Sequence, residues 1–228
     1  IELDDPDHEL RAVFGAERAA DAATDDGVGF LGWRVASSRR DFGDRQPTDR
    51  PFFQPGSMDP LLARAVVNLA RARPGWTVCD PLCGTGGLLL EAGLVGANLL
   101  GLDVQHQMVA GTRENLQAVL SGRAAEMDHT PTIALAQSDA ARLPLSADAA
   151  DAVVFDAPYG RQSKVAGRSA DALVADVLRE TARIAPRAVF VADRPLATAV
   201  EVTPWTLAWR HERRVHRSLV RHVHGLER

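Results

Sequence analysis

The chain has 228 residues, 46% hydrophobic and 5% aromatic, with a formal net charge of −4. This is the composition of an ordinary globular protein with enough Leu, Val and Ala for a core. It excludes a helical membrane span, which needs ~20 consecutive apolar residues, and it excludes holding a polyanion by bulk charge alone.

Residues 1–14 and 27–36 read as two short strands around the polar stretch GAERAADAATDD. The sequence opens at Ile1, and residues 1–36 are expected to be the remnant of a module that starts upstream. Residues 37–58 are rich in Pro, Arg and Asp without periodicity, so they are expected to form a linker. Segments of this length are commonly connectors or covers over a site.

From Asp59 the pattern turns regular, and residues 59–228 are expected to form one domain. Residues 59–72 carry a capping Asp, then Pro60, then an apolar stripe at Leu62, Val66, Leu69 and Ala70, which predicts a helix. The strand WTVCDP, a glycine-rich turn and the helix LLLEAGLVG come next. They are followed by the strand NLLGLDV, the helix QHQMVAGTRENLQAVL and the strand IALAQSD. The strand DAVVFDAPYG, the helix ADALVADVLRETARIA and the strand RAVFVAD continue the alternation. Strands alternating with helices predict an α/β fold with a mostly parallel sheet covered on both faces. Residues 205–225 lack a helical period and read as a closing antiparallel pair.

Cys79 and Cys83 are too few for a disulfide framework or a zinc site. They are expected to be small buried side chains in a cytoplasmic protein, and no metal is expected. The basic stretch 210–228 suits either a solvated edge strand or a patch facing RNA. Alternation puts His222 and His224 on one face, where a surface position is expected rather than a metal pair.

Four acidic residues follow the ends of successive strands. Asp80 precedes the turn Gly84-Thr85-Gly86, where glycines allow close backbone approach and a helix begins. Asp103 lies 23 positions on, the place of a ribose-binding carboxylate, and Asp139 and Asp156 follow. The turn lacks the third glycine of a dinucleotide fingerprint, and four carboxylates would repel a diphosphate. A cationic sulfonium nucleoside, S-adenosylmethionine, suits the set better than a nicotinamide dinucleotide.

Asp156-Ala157-Pro158-Tyr159 closes the fourth strand of this series. An exocyclic amine is a poor nucleophile because its lone pair is delocalised into the ring. The Asp156 carboxylate and the Ala157 carbonyl can accept its two N–H bonds. Pro158 favours an extended Ala157, and Tyr159 can stack on a base drawn out of its helix.

These runs (RPFFQPGSMDPLLARAVVNLA, DPLCGTGGLLLEA, GLDV, DAPYGRQSK and VHRSLVRHVH) resemble the tRNA guanosine-10 N2-methyltransferase family over about residues 28–224. The resemblance implies a Rossmann-like S-adenosylmethionine-dependent methyltransferase with a seven-stranded sheet and a C-terminal antiparallel hairpin. It implies that Phe53, Ser57 and Met58 cover the methionine end of the cofactor, and that Asp80, Gly84, Thr85 and Gly86 hold that end. Asp103 with Val104 would take the ribose and Asp139 with Ala140 the adenine, leaving Asp156, Ala157, Pro158 and Tyr159 for guanine. Residues 1–36 would be the last strands of a THUMP-like module. The family's commoner turn is Asp-Pro-Pro-Tyr, and Ala157 departs from it. Some relatives work with a small zinc-binding activator protein, for which Thr132–Gln137 would be the edge strand here. The alternatives are an N6-adenine or rRNA guanine amino-methyltransferase, a non-catalytic RNA-binding module, and a nicotinamide-dependent oxidoreductase.

Overall fold

From Thr77 strands mostly alternate with helices, as the hydrophobic pattern predicts, until two consecutive strands close the chain, and these strands assemble into one sheet. The computed structural model describes residues 7–16, 27–36, 40–123, 129–158, 170–217 and 219–228. The chain divides into two compact units, residues 1–41 and residues 42–228. In the first, β1 (Leu10–Ala16) and β2 (Gly27–Trp33) pair antiparallel.

The larger unit begins with a strap, residues 42–58, that has no apolar period yet contains two 3-10 helices, Phe42–Arg45 and Pro47–Asp49. Helix α1 (Pro60–Leu69) follows, with the Asp59 side chain accepting from the Leu62 amide. Next come β3 (Thr77–Asp80), α2 (Gly87–Leu94), β4 (Asn98–Asp103), α3 (His106–Ser121) and β5 (Ile133–Gln137). They are followed by β6 (Ala152–Asp156), α4 (Ala170–Ile184), β7 (Arg187–Ala192) and the short α5 (Ala197–Glu201). The chain closes with β8 (Thr206–His216) and β9 (Leu219–Glu227).

The sheet order is β5-β4-β3-β6-β7-β9-β8. The first five strands run parallel, and β9 inserts antiparallel between β7 and β8. This is the Rossmann-like methyltransferase architecture with its C-terminal hairpin. Alternation along β6 splits the core in two: Ala152 and Val154 face α1, α2 and α3, whereas Val153 and Phe155 face α4 and α5. Strand order reverses at β3, with β4 on one side and β6 on the other, so a crevice opens at their C-terminal ends.

One expectation is corrected here. His224 is fully buried and His222 nearly so, because β9 is an interior strand and not an edge. His224 stacks on Phe190 at 4.3 Å, and Phe190 stacks on Phe155 at 5.1 Å. Its Nε2 accepts from the Leu196 amide, and burial pulls its pKa down to about 4. Both cysteines are buried and free, as expected. Among the described residues no helix is long and apolar enough to cross a membrane.

Candidate functional site

The turn between β3 and α2 is held from three sides. Gly84 and Gly86 have φ of 51° and 79°, where a side chain would be strained. A Cβ on Gly86 would also meet Thr112 Cγ2 at 2.8 Å, so the turn lies directly on α3. Thr112 donates its hydroxyl to the Gly84 carbonyl at 2.7 Å, and Asn115 Nδ2 donates to the Thr85 carbonyl at 2.9 Å. From below, Asp103 Oδ2 accepts from the Gly84 amide and its Oδ1 from the Gln105 amide.

The strap covers the same turn. Asn115, wholly buried, accepts from the Phe52 amide at 2.9 Å and donates to the Phe52 carbonyl at 2.8 Å. One amide side chain therefore ties strap, turn and α3 together. The Phe52 ring occupies the space that a Cβ on Gly111 would take. Ser57 Oγ lies 3.0 Å from Thr85 Oγ1 and bonds the Gln54 carbonyl. Further back, Glu91 is fully buried in α2 and bonds Arg45 at 2.6 Å and Arg64 at 2.9 Å. Arg50, also buried, gives its Nε to the Arg45 carbonyl, while Nη1 and Nη2 have no hydrogen-bond partner among the described residues.

Between strap, turn and β6 lies a cavity of about 230 Å³. It collects Ser57, Met58, Asp80, Gly84 and Thr85 on one side and Asp156, Ala157 and Pro158 on the other. Asp80 and Asp156 are its acidic residues, and no Lys, Arg or His lines it among the described residues. Asp80 is 2% exposed; burial, with Asp103 and Asp156 nearby, pushes its pKa well above the carboxylate range. Its Oδ1 accepts from the Leu82 amide.

Asp156 ends β6. Burial pushes its pKa up to about 7, against the lowering influence of Arg221, whose Nη1 stands 3.5 Å from Oδ2. Oδ1 is buried and has no hydrogen-bond partner among the described residues. Ala157 follows, its amide bonded to the Val191 carbonyl at 2.8 Å.

The remaining sequence-derived positions stand apart from the cavity wall. Gly86 caps α2 just behind it, and Asp103 supports it through Gly84. Phe53 and Val104 are exposed. Asp139 is exposed, its Oδ1 bonded to the Ala141 amide, and it borders a surface hollow with Asp176 and Arg179. Ala140 is buried. Tyr159 lies outside the described residues. Sequence reasoning passed over Asn115, Thr112, Glu91 and Arg221. Glu91 alone left a visible signal, a lone charge inside the apolar run LLLEAGL.

Residues 47–223 match the family model described as UPF0020: RMKL-like, methyltransferase domain. A curated tRNA (guanine(10)-N2)-dimethyltransferase of Methanothermobacter thermautotrophicus is 36% identical over 84% of this chain and 55% of its own length. One from Methanocaldococcus jannaschii is 35% identical over 82% of this chain and 50% of its own. The chain thus spans about half the length of these relatives. Among solved structures, TrmN from Thermus thermophilus superposes with a TM-score of 0.62 at 26% identity, covering 88% of this chain and 56% of that one.

Proposed function

Since the chain belongs to the RMKL-like methyltransferase family UPF0020, we propose that it transfers a methyl group from S-adenosylmethionine to the exocyclic N2 amine of a guanosine in tRNA, position 10 being the expected site. The observation that carries this reading is Asp156: a carboxylate at the crevice with one buried oxygen that lacks a hydrogen-bond partner among the described residues. A buried acceptor without a donor is costly, and an amine N–H entering the cavity supplies one.

The residues present fit the cofactor. Burial pushes both acidic residues of the cavity, Asp80 and Asp156, toward their neutral forms; a positively charged ligand favours their ionised forms, whereas a diphosphate would find no cationic side chain among the described lining residues. Asp80, Gly84, Thr85, Ser57 and Met58 would hold the methionine end, with Phe53 and Gly86 behind them. Asp103 with Val104, and Asp139 with Ala140, would serve the ribose and adenine. Bound there, the cofactor supplies an electrophilic methyl group.

The protein's part is to receive and orient the base. Asp156 accepts an N–H of the amine and so turns its lone pair toward the cavity. With its pKa near 7, the same carboxylate can take the proton that the amine loses. Pro158 stiffens the turn, Ala157 offers its carbonyl as second acceptor, and Tyr159 stacks on the base. The strap, tied down by Asn115, excludes water from one side. Most of the rate enhancement then comes from positioning.

The same reading includes the cytoplasm as compartment and an activator protein that adds a strand at β5. In support, β5 is a sheet edge and Ile133 on it is 42% exposed. Ile133→Arg would then abolish co-purification of that partner; an intact complex would end the idea.

The test of the activity is transfer of labelled methyl to unmodified tRNA by the full-length protein, with the product nucleoside identified by mass spectrometry. N2-methylguanosine or its dimethyl form is expected. Label in N6-methyladenosine, or cofactor binding without transfer to any RNA, would overturn the assignment.

A further inference from the structure

The group beside Asp156 comes from the far end of the chain. Arg221 belongs to β9, which reaches the site only because it inserts between β7 and β8. Val191 pairs with Asp156 on one side and with Val223 on the other. Arg221, two residues before Val223, therefore shares the sheet face of Asp156. It is 6% exposed, and its Nη1 faces Asp156 Oδ2 at 3.5 Å.

A buried guanidinium is expensive and needs an anion. Across the strand pair Arg221 stands opposite Arg213, a like charge that gives it no relief. Asp193, just past β7, is engaged by Arg194 at 2.9 Å. His222 turns to the other face, toward Glu212 at 3.3 Å. From β3, Asp80 faces Asp156, and the Asp156 charge is one of the causes that push the Asp80 pKa up. Among these groups Arg221 is the cation that faces the Asp156 carboxylate.

We propose that Arg221 is the positioning residue of the substrate turn: its buried guanidinium, facing Oδ2, holds the Asp156 carboxylate aimed to accept the N–H of the base. The proposal rests on the reading of Asp156 as the amine's acceptor. Without Arg221, desolvation and the neighbouring Asp193 carboxylate act on Asp156 unopposed. It then keeps its proton to higher pH than in the wild type and over that range offers a donor where an acceptor is needed. The pH at which Asp156 ionises therefore moves upward when the cation is removed.

The test is the single-turnover rate of labelled methyl transfer to a tRNA transcript by the full-length protein, measured from pH 6 to 9.5. The variants are Arg221→Met, Arg221→Lys, Asp156→Asn and the Met/Asn double variant. Arg221→Met is expected to be about 10- to 100-fold slower at pH 7. Its acid limb should lie about one pH unit or more higher, with rate regained at high pH. Arg221→Lys should restore most of the limb, and the double variant should be no slower than Asp156→Asn alone. Should Met not fold, Arg221→Gln serves the same comparison, since it too lacks the charge. A loss that is uniform across pH, with Asp156→Asn still inactive, would show Arg221 to be merely structural. Wild-type transfer by Asp156→Asn would instead remove the reading beneath the proposal, and the proposal with it.

Discussion

The two walls of the cavity are built on opposite plans. On the proposed cofactor side the groups that hold the Gly84–Gly86 turn are matched within the protein, and the unmatched atoms, Arg50 Nη1 and Nη2, lie behind that turn. Asp103 has an amide donor on each oxygen, and Asn115 bonds both Phe52 backbone groups and the Thr85 carbonyl. On the proposed substrate side, among the described residues, Asp156 keeps an unmatched oxygen and leans on Arg221 at 3.5 Å. A wall saturated with internal bonds is preorganised and binds by shape. A wall with an open acceptor is the one that engages chemistry.

Several substitutions would break or sharpen this contrast. The largest stability effect is expected from Glu91→Gln, which removes the buried carboxylate charge that Arg45 and Arg64 share beneath the proposed cofactor wall. Such breakage costs about 3–5 kcal/mol, read as a fall in urea midpoint. A change below about 1 kcal/mol would mean that this wall does not depend on its ion cluster.

Under the substrate wall the corresponding support is the stack Phe155–Phe190–His224. The His224 pKa is lowered from 6.5 to about 4. Between those values the unfolded chain binds a proton that the folded one refuses. Stability is therefore complete above pH 6.5 and falls as pH drops toward 4, by roughly 3 kcal/mol from this group. His224→Gln cannot titrate, so its unfolding free energy should lose that pH slope. An unchanged slope would show that His224 does not set it.

Asn115→Ala comes next, at about 1–3 kcal/mol of stability, because Phe52 and Thr85 backbone groups lose their partner. Its diagnostic effect is on cofactor affinity, expected to weaken about tenfold by calorimetry as the strap loosens (1.4 kcal/mol per decade). Smallest is Asp139→Ala: the residue is exposed and its visible bond is local. Stability should move by less than about 0.5 kcal/mol, so any loss of cofactor affinity there reads directly on its proposed adenine contact.

Much of the frame was legible because it rests on local signals. The period of α1, the Asp59 cap, the strand alternation and the Gly84–Gly86 turn are written in neighbouring residues, and so is the Asp156–Pro158 turn. The family resemblance implies that Thr132–Gln137 is a sheet edge, and β5 is one. What escaped reading depends on sequence separations of dozens of residues. Asn115 meets Phe52 across 63 positions, and Arg221 meets Asp156 across 65. Neither partner carries a local mark of the other. His224 was misjudged for the same reason: a histidine in a basic tail looks solvated until β9 is known to lie between two other strands. The strap shows no repeating stripe in sequence because it is held by the Phe52 ring in the gap over Gly111 and by individual hydrogen bonds to Asn115, Thr85 and Glu91.

The contrast between the two walls is tested most directly by Asp156→Ala in the full-length protein, with cofactor affinity and single-turnover methyl transfer measured side by side. Affinity should stay within about threefold of wild type, while transfer falls by about 100-fold or more, the scale on which a lost transition-state hydrogen bond acts. Equal losses in both, or transfer that survives, would contradict the assignment of Asp156 to the substrate.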